Sequence, residues 1–389
     1  MKYISPLHIL LKLFVLFFCF HSAIVFIGCA KEADEETNKE YYINDKVLRI
    51  DKFLHEEEVE SIAFSPDGKM IAAVIDDWLR GPGSTDFIRF VNVDINDGGK
   101  PIPDIISKET AQLLSLTFSP NGQYLALEGG IVQVWDIVQG KKIFEVVRDG
   151  TRSSKLEFLP DNQHLAITYG YSVSDRSGND EPAEDGGTVR IWDFKAGIET
   201  GAYKLQGSFI YLSALSPDGQ YLATASYSDK TIKVWNIITG KIEKEFSIEG
   251  IKHEGSITRF TFSNNSKTIA IATSIFPADT GYASGIRIRL WDIKTGKITS
   301  QFDLPKNFDK LISFSKDDQR LIASGKGAIY VYDIIKRKRI LNTKIIPGDP
   351  PVCFNIEKEL IAFGTPYESH AHKELEYLLI CHLKESYNN

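Results

Sequence analysis

An all-β fold, a seven-bladed β-propeller of four-stranded antiparallel blades, is what this chain predicts, on three observations. The phrase Phe-Ser-Pro-Asp-Gly-Lys-Met-Ile-Ala-Ala at Phe64 to Ala73 returns in altered form six more times. A short alternating strand ending in Trp-Asp or a close equivalent follows at a variable distance. A Gly-containing turn then leads most units into one further strand. Repeats spaced by about 40 to 57 residues stack as supersecondary units that bury a face only against their neighbours, and a ring leaves only short outer edges exposed.

At the N-terminus, Leu7 to Gly28 is strongly apolar, with Lys2 before it and Cys29 after it. About 20 residues is near the length that spans a hydrocarbon core, so the run reads as a signal peptide or a membrane anchor. Val25-Phe26-Ile27-Gly28-Cys29 resembles the lipobox of bacterial lipoproteins. That resemblance implies cleavage after residue 28, a lipid on Cys29, and an extracytoplasmic place in a bacterial cell envelope, at the outer membrane if the host has one. Residues 1–28 are assigned to this segment. Residues 29–45 open on Lys31-Glu32-Ala33-Asp34-Glu35-Glu36, too polar to offset the entropy of ordering, and are assigned as a flexible charged tether. Residues 46–389 are assigned to the propeller.

Within it the first strands and their turns run Ile62 to Ala72, Leu116 to Ala126, Leu156 to Ala166, Ser213 to Ala223, Phe260 to Ala270, Ile312 to Ile322 and, degraded, Val352 to Ala362. Pro66, Pro120, Pro160 and Pro217 fix φ at the first corner of the turn. Third strands end at Trp135, Trp192, Trp235, Trp291 and Tyr332, and after each Trp a dipeptide ending in Gly, at Gly140, Gly197, Gly240 and Gly296, marks the turn into a fourth strand. The seventh unit offers no fourth strand after Leu383. Lys46 to Asp51, which alternates ahead of the first repeat, is expected to supply it and close the ring.

These residues resemble the WD40-repeat family over about residues 46 to 383. Trp135-Asp136, Trp192-Asp193 and Trp291-Asp292 match its signature dipeptide, Trp235-Asn236 and Tyr332-Asp333 are near matches, and Asp229 matches its turn aspartate. The Trp should wedge apolar area between blades while the next side chain accepts hydrogen bonds at the strand exit. The resemblance implies a non-enzymatic scaffold that engages proteins through one face.

Four links between second and third strands are long, at about 76–86, 169–187, 275–285 and 366–376, and the same link leaves the same side of every blade. The candidate partner-binding residues are therefore Trp78, Arg80, Tyr171, Phe276 and Tyr367, with Tyr169 and Tyr282 adding aromatic surface; Trp and Arg dominate binding hot spots. Asp175, Asp180, Glu181, Glu184 and Asp185 lack the spacing of a calcium loop and read as a solvated charge run. His370 and His372 lack an identifiable third ligand, no nucleophile elbow or phosphate-cradling loop is present, and Cys353 and Cys381 fall on strands too far apart to bond. No catalytic, cofactor or metal residues are assigned. With 45 Lys and Arg against 52 Asp and Glu, the net charge is -7, and no basic stripe points to nucleic acid. Two functions stand: a lipid-anchored, monomeric head that binds a protein partner, or a ligand-binding or hydrolase-like propeller with polar groups at its central opening.

Overall fold

The structure is a computed structural model that describes most residues between 41 and 385, chiefly strands and their tight turns. Residues 1–40, 78–86, 94–101, 171–187, 364–377 and 386–389 lie outside the described residues, as do several shorter connecting stretches. The lipidation residue Cys29, Trp78, Arg80, Tyr171, Tyr367, Asp229 and the acidic run at 175–185 fall among these.

In chain order, β1 (Tyr41–Ile43) and β2 (Leu48–Ile50) precede a sheet of β3 (Glu57–Phe64), β4 (Met70–Asp77), β5 (Phe87–Asn92) and β6 (Ile105–Ile106). The second sheet holds β7 (Ser115–Phe118), β8 (Tyr124–Glu128), β9 (Ile131–Asp136) and β10 (Lys141–Val147). The third holds β11 (Arg152–Phe158), β12 (His164–Gly170), β13 (Thr188–Asp193) and β14 (Ile198–Lys204). The fourth holds β15 (Ile210–Leu215), β16 (Tyr221–Ser226), β17 (Thr231–Asn236) and β18 (Ile242–Ser247). The fifth holds β19 (Glu254–Phe262), β20 (Thr268–Ile275), β21 (Gly285–Asp292) and β22 (Ile298–Pro305). The sixth holds β23 (Leu311–Phe314), β24 (Arg320–Gly325), β25 (Ala328–Asp333) and β26 (Lys338–Lys344). Each is an antiparallel meander, as a propeller blade requires.

The expectation of seven like blades is corrected to six four-stranded ones. The remaining sheet joins β27 (Val352–Asn355), β28 (Leu360–Phe363) and β29 (Leu378–Glu385) to both N-terminal strands. β2 pairs Leu48 with Ile380 and Ile50 with Leu378, while β1 pairs Tyr41 with Glu385 and Ile43 with Leu383. The assignment of all of 29–45 to a tether is therefore corrected as well, because Tyr41–Ile43 is a strand. The innermost strands touch in the cyclic order β3, β7, β11, β15, β19, β23, β27 and back to β3.

The core lies between blades. One cluster joins Ile71, Ala73 and Val91 of the first sheet to Leu360 and Ala362 of the last, and another joins Ile322, Ile329 and Val331 to Ile361 and Phe363. Central strands such as β8 and β28 are buried on both faces along their length, which is why Tyr124-Leu-Ala-Leu127 and Leu360-Ile-Ala-Phe363 read as continuous apolar runs with small Ala where sheets approach closely.

The turns between first and second strands hold one another. A buried Ser directly follows the first strand, its Oγ donating to an acidic or amide side chain two residues on, as in Ser65 to Asp67, Ser119 to Asn121, Ser216 to Asp218, Ser263 to Asn265 and Ser315 to Asp317. The same Oγ accepts the amide that opens the second strand, for example those of Tyr124 and Tyr221. The turn needs one left-handed residue, supplied by Gly68 (φ 68°), Gly122 (φ 72°) and Gly219 (φ 71°), or by Asn162, Ser266 and Asp318. Where that residue has a side chain, it reaches the preceding blade. Asn162 Oδ1 accepts from the Asn121 amide, Ser266 Oγ from the Asp218 amide, and Asp318 from the amides of Asn264 and Asn265.

Candidate partner-binding face

The signature residues build the turn into the outer strand. Asp136 Oδ1 accepts the amides of Val138 and Gln139, Asp193 Oδ1 those of Lys195 and Ala196, and Asn236 Oδ1 those of Ile238 and Thr239. Asp292 takes the amide and hydroxyl of Thr295. The second carboxylate oxygen reaches the neighbouring turn: Gln123 donates to Asp136 at 2.9 Å and Gln163 to Asp193 at 2.6 Å. Donors from the Ala196 amide and the Gln163 side chain hold the Asp193 carboxyl below the ordinary carboxylate range. In the inner turn, burial alone would raise the Asp317 carboxyl, but the Ser315 hydroxyl and the Gln319 amide bring it below its usual value.

The signature aromatics pack between blades, the four Trp half-buried and Tyr332 buried. Trp192 lies 5.7 Å from Phe144 and Trp291 5.0 Å from Phe246, while Tyr332 stacks on Phe302 at 3.6 Å. In each pair the Phe belongs to the outer strand of the preceding blade. Trp135 packs against the first and second sheets, and Trp235 and Tyr203 both pack on the cluster shared by the third and fourth, where the Tyr203 hydroxyl donates to the Ile237 carbonyl.

Both sets of tight turns share one face, since Ile137, Phe194, Ile237 and Ile334 donate their amides to carbonyls of the adjacent inner turns. Links between second and third strands must therefore leave from the opposite face, and all four long ones do. Their described ends are Asp77 and Phe87, Gly170 and Thr188, Ile275 and Gly285, and Phe363 and Leu378. Of the candidate contact residues, only Phe276 is described. It is half-buried, with its ring over Gly255, where a Cβ would lie 2.1 Å from Phe276 Cε2. Tyr169, expected to add exposed aromatic surface, is instead 5% exposed beneath Arg190, whose guanidinium carbon sits 5.3 Å from its ring centre. Beside it the Thr168 and Ser213 hydroxyls pair at 2.6 Å across two blades.

Cys353 and the strand carrying Cys381 are separated by β28, and burial pushes the Cys353 thiol up. Among the described residues no group of three or more His, Cys, Asp or Glu is placed to hold a metal ion, and no helix is long and apolar enough to cross a membrane. The turn-holding serines were the residues that sequence reading missed; the signal for them is a Ser directly after a Phe or Leu and two residues before an Asp or Asn, at a fixed place in five units.

Fold and turn chemistry together define an all-β propeller of four-stranded antiparallel blades. The family model for the WD domain, G-beta repeat, matches residues 203–236, from the end of β14 through β17. The chain is similar to a coronin-like protein of Saccharomyces cerevisiae, 24% identical over 290 residues that cover 70% of this chain and 41% of that protein. It is also similar to periodic tryptophan protein 2 of Arabidopsis thaliana, 26% identical over 227 residues covering 57% and 22%. A serine-threonine kinase receptor-associated protein of Gallus gallus is 25% identical over 215 residues covering 48% and 57%. The chain thus spans less than two thirds of the length of each of these relatives.

Proposed function

We propose that this chain is a non-enzymatic scaffold of the WD40 family, held at a bacterial cell envelope by a lipid on Cys29, that binds a protein partner through the face of long links. On this reading the sheet of β27, β28 and β29 acts as a seventh blade, with β2 and β1 as its outer edge closing the ring. One observation carries the proposal: the repeated polar residues are consumed in holding turns, so the opposite face, where link length varies most, is left for specificity. Loops on a rigid frame tolerate insertion and supply contact residues. A partner whose own surface is concave would receive Trp78 and Arg80, an apolar body beside a rigid guanidinium fork.

The test is capture of a stoichiometric protein from detergent-solubilised envelope by the full chain. The variant W78A with R80A should lose about 2 kcal/mol or more of affinity, while a change of Lys336 and Arg337 on the turn face should leave it intact. Loss in the second variant and not the first would place the working surface elsewhere. Intact mass of the mature protein checks the anchor, with loss of residues 1–28 and a lipid on Cys29 expected.

A further inference from the structure

On the turn face, the third residue after each strand-three aromatic alternates in character around the rim. It is Val138 in the second blade, Lys195 in the third, Ile238 in the fourth, Lys294 in the fifth and Ile335 in the sixth. The three aliphatic side chains are 80%, 85% and 71% exposed. Single exposed apolar residues are ordinary on a protein surface. These three differ in occupying one structural position on alternate blades, each on a turn pinned by its Asp or Asn, so that they project from a rigid frame. Cations fill the same position between them, and Ile335 is followed by four more, Lys336-Arg337-Lys338-Arg339, all exposed. The same turns carry the carboxylates of Asp136, Asp193, Asp292 and Asp333, so the unbroken run of positive charge on this face is residues 336 to 339.

The path of the chain supplies an independent observation. β29 starts from a long link at Leu378, so its Glu385 end lies at the turn face, and antiparallel β1 sets Tyr41 opposite Glu385. Tyr41, the first described residue, therefore stands at the face that carries Val138, Ile238 and Ile335. On the membrane-anchored reading, the twelve residues from 29 to 40 set an upper limit of roughly 40 Å between the lipid and Tyr41.

We propose that the turn face docks on the surface of a bilayer rich in anionic phospholipid, its aliphatic tips entering the headgroup layer and its basic turns meeting the headgroup charge. This rests on the membrane-anchored reading above and turns the long links away from the bilayer. The full chain, reconstituted in phosphatidylcholine vesicles with or without about one third phosphatidylglycerol, tests it through a fluorophore on Ile238→Cys and, on the opposite face, on Ser284→Cys. The unsubstituted chain, labelled in parallel, subtracts the signal of its own cysteines. A lipid-borne quencher should dim the Ile238 probe on anionic vesicles at least about threefold more than the Ser284 probe. The difference should vanish when residues 336 to 339 are all Gln, or in 1 M salt, where screening shortens to about 3 Å.

Equal quenching at the two sites, or none at Ile238, overturns the proposal, as it would if a protein rather than lipid covered the rim. Flotation on the neutral vesicles reads the anchor separately. A chain that floats there but shows no quenching at Ile238 on anionic vesicles has an anchor and no docked face. One that floats only on anionic vesicles, with Ile238 quenched, keeps the docking and loses the anchor; no flotation on either overturns both.

Discussion

Trp235 and Trp192 occupy the same place in consecutive blades, yet their indole N–H groups end differently. Trp235 Nε1 donates to Thr224 Oγ1 at 3.0 Å, whereas Trp192 Nε1 is buried without an acceptor among the described residues. The register explains it: Trp235 faces Leu222 and finds Thr224 two residues on, while Trp192 faces Leu165 and finds Ile167. Trp192→Ala should cost about 3 kcal/mol in denaturant unfolding, through lost packing on Phe144. Trp235→Phe should cost about 1 kcal/mol more than Trp192→Phe, because it strips the buried Thr224 hydroxyl of its donor; equal costs would mean the hydrogen bond contributes nothing net. Asp193 makes a prediction of a different kind. Its folded-state carboxyl lies below its unfolded value, so its contribution is present above about pH 3.9 and lost as pH falls through the lower folded value. Asp193→Asn keeps the accepting Oδ1, as Asn236 does in the next blade, and removes the titration. Unfolding at pH 6 and at pH 2.5 should show a smaller drop for the variant than for the parent, and an equal drop would remove Asp193 from the acid response.

Among the elements, β1 and β2 are the test of how the last sheet is completed. Heads beginning at Glu40, Lys46 and Lys52 remove neither strand, β1, and then both. Each step should lower the thermal midpoint by roughly 5 °C, since each strips a short ladder from β29 and opens its edge. Equal midpoints for all three would show that neither strand supports the fold. β2 was legible in the sequence because Val47-Leu48-Arg49-Ile50 alternates ahead of the first repeat. β1 was not, because Tyr41-Tyr42-Ile43 follows a charged stretch and draws its meaning from a partner more than 300 residues away. Blades two to six were readable for a local reason: a left-handed turn residue and a strand-ending aromatic lie close together in each, with a proline beside them in blades two to four. The serine hydroxyls escaped notice because their main partner is a backbone amide five residues on, which carries no letter of its own. On the candidate face, sequence gave the place of each long link but not the aim of its side chains. Tyr169 proved to be core, sealed by Arg190 from the neighbouring strand, and no local pattern encodes that contact.

For the molecule as a whole, the join between first and last sheets is where integrity is concentrated. Asn355 Nδ2 donates to the carbonyls of Ser65 and Pro66, and Asn355 Oδ1 accepts the Lys358 amide, all with the residue buried. Asn355→Ala should cost about 2 kcal/mol or more and should raise protease nicking between the first and last sheets before it affects blades three to five. Uniform nicking around the ring would show that the join is no weaker than any other. The same contact carries a consequence measured in time. Ser65 leaves the ribosome 290 residues before Asn355, which at ordinary rates of synthesis is roughly 15 to 60 s. Throughout that interval Val59, Ile71 and their neighbours on the flank of the first sheet lack the partner that later covers them. The chain is born with an early surface waiting for a late one, so whatever escorts it during synthesis must shield that flank until the last sheet is made.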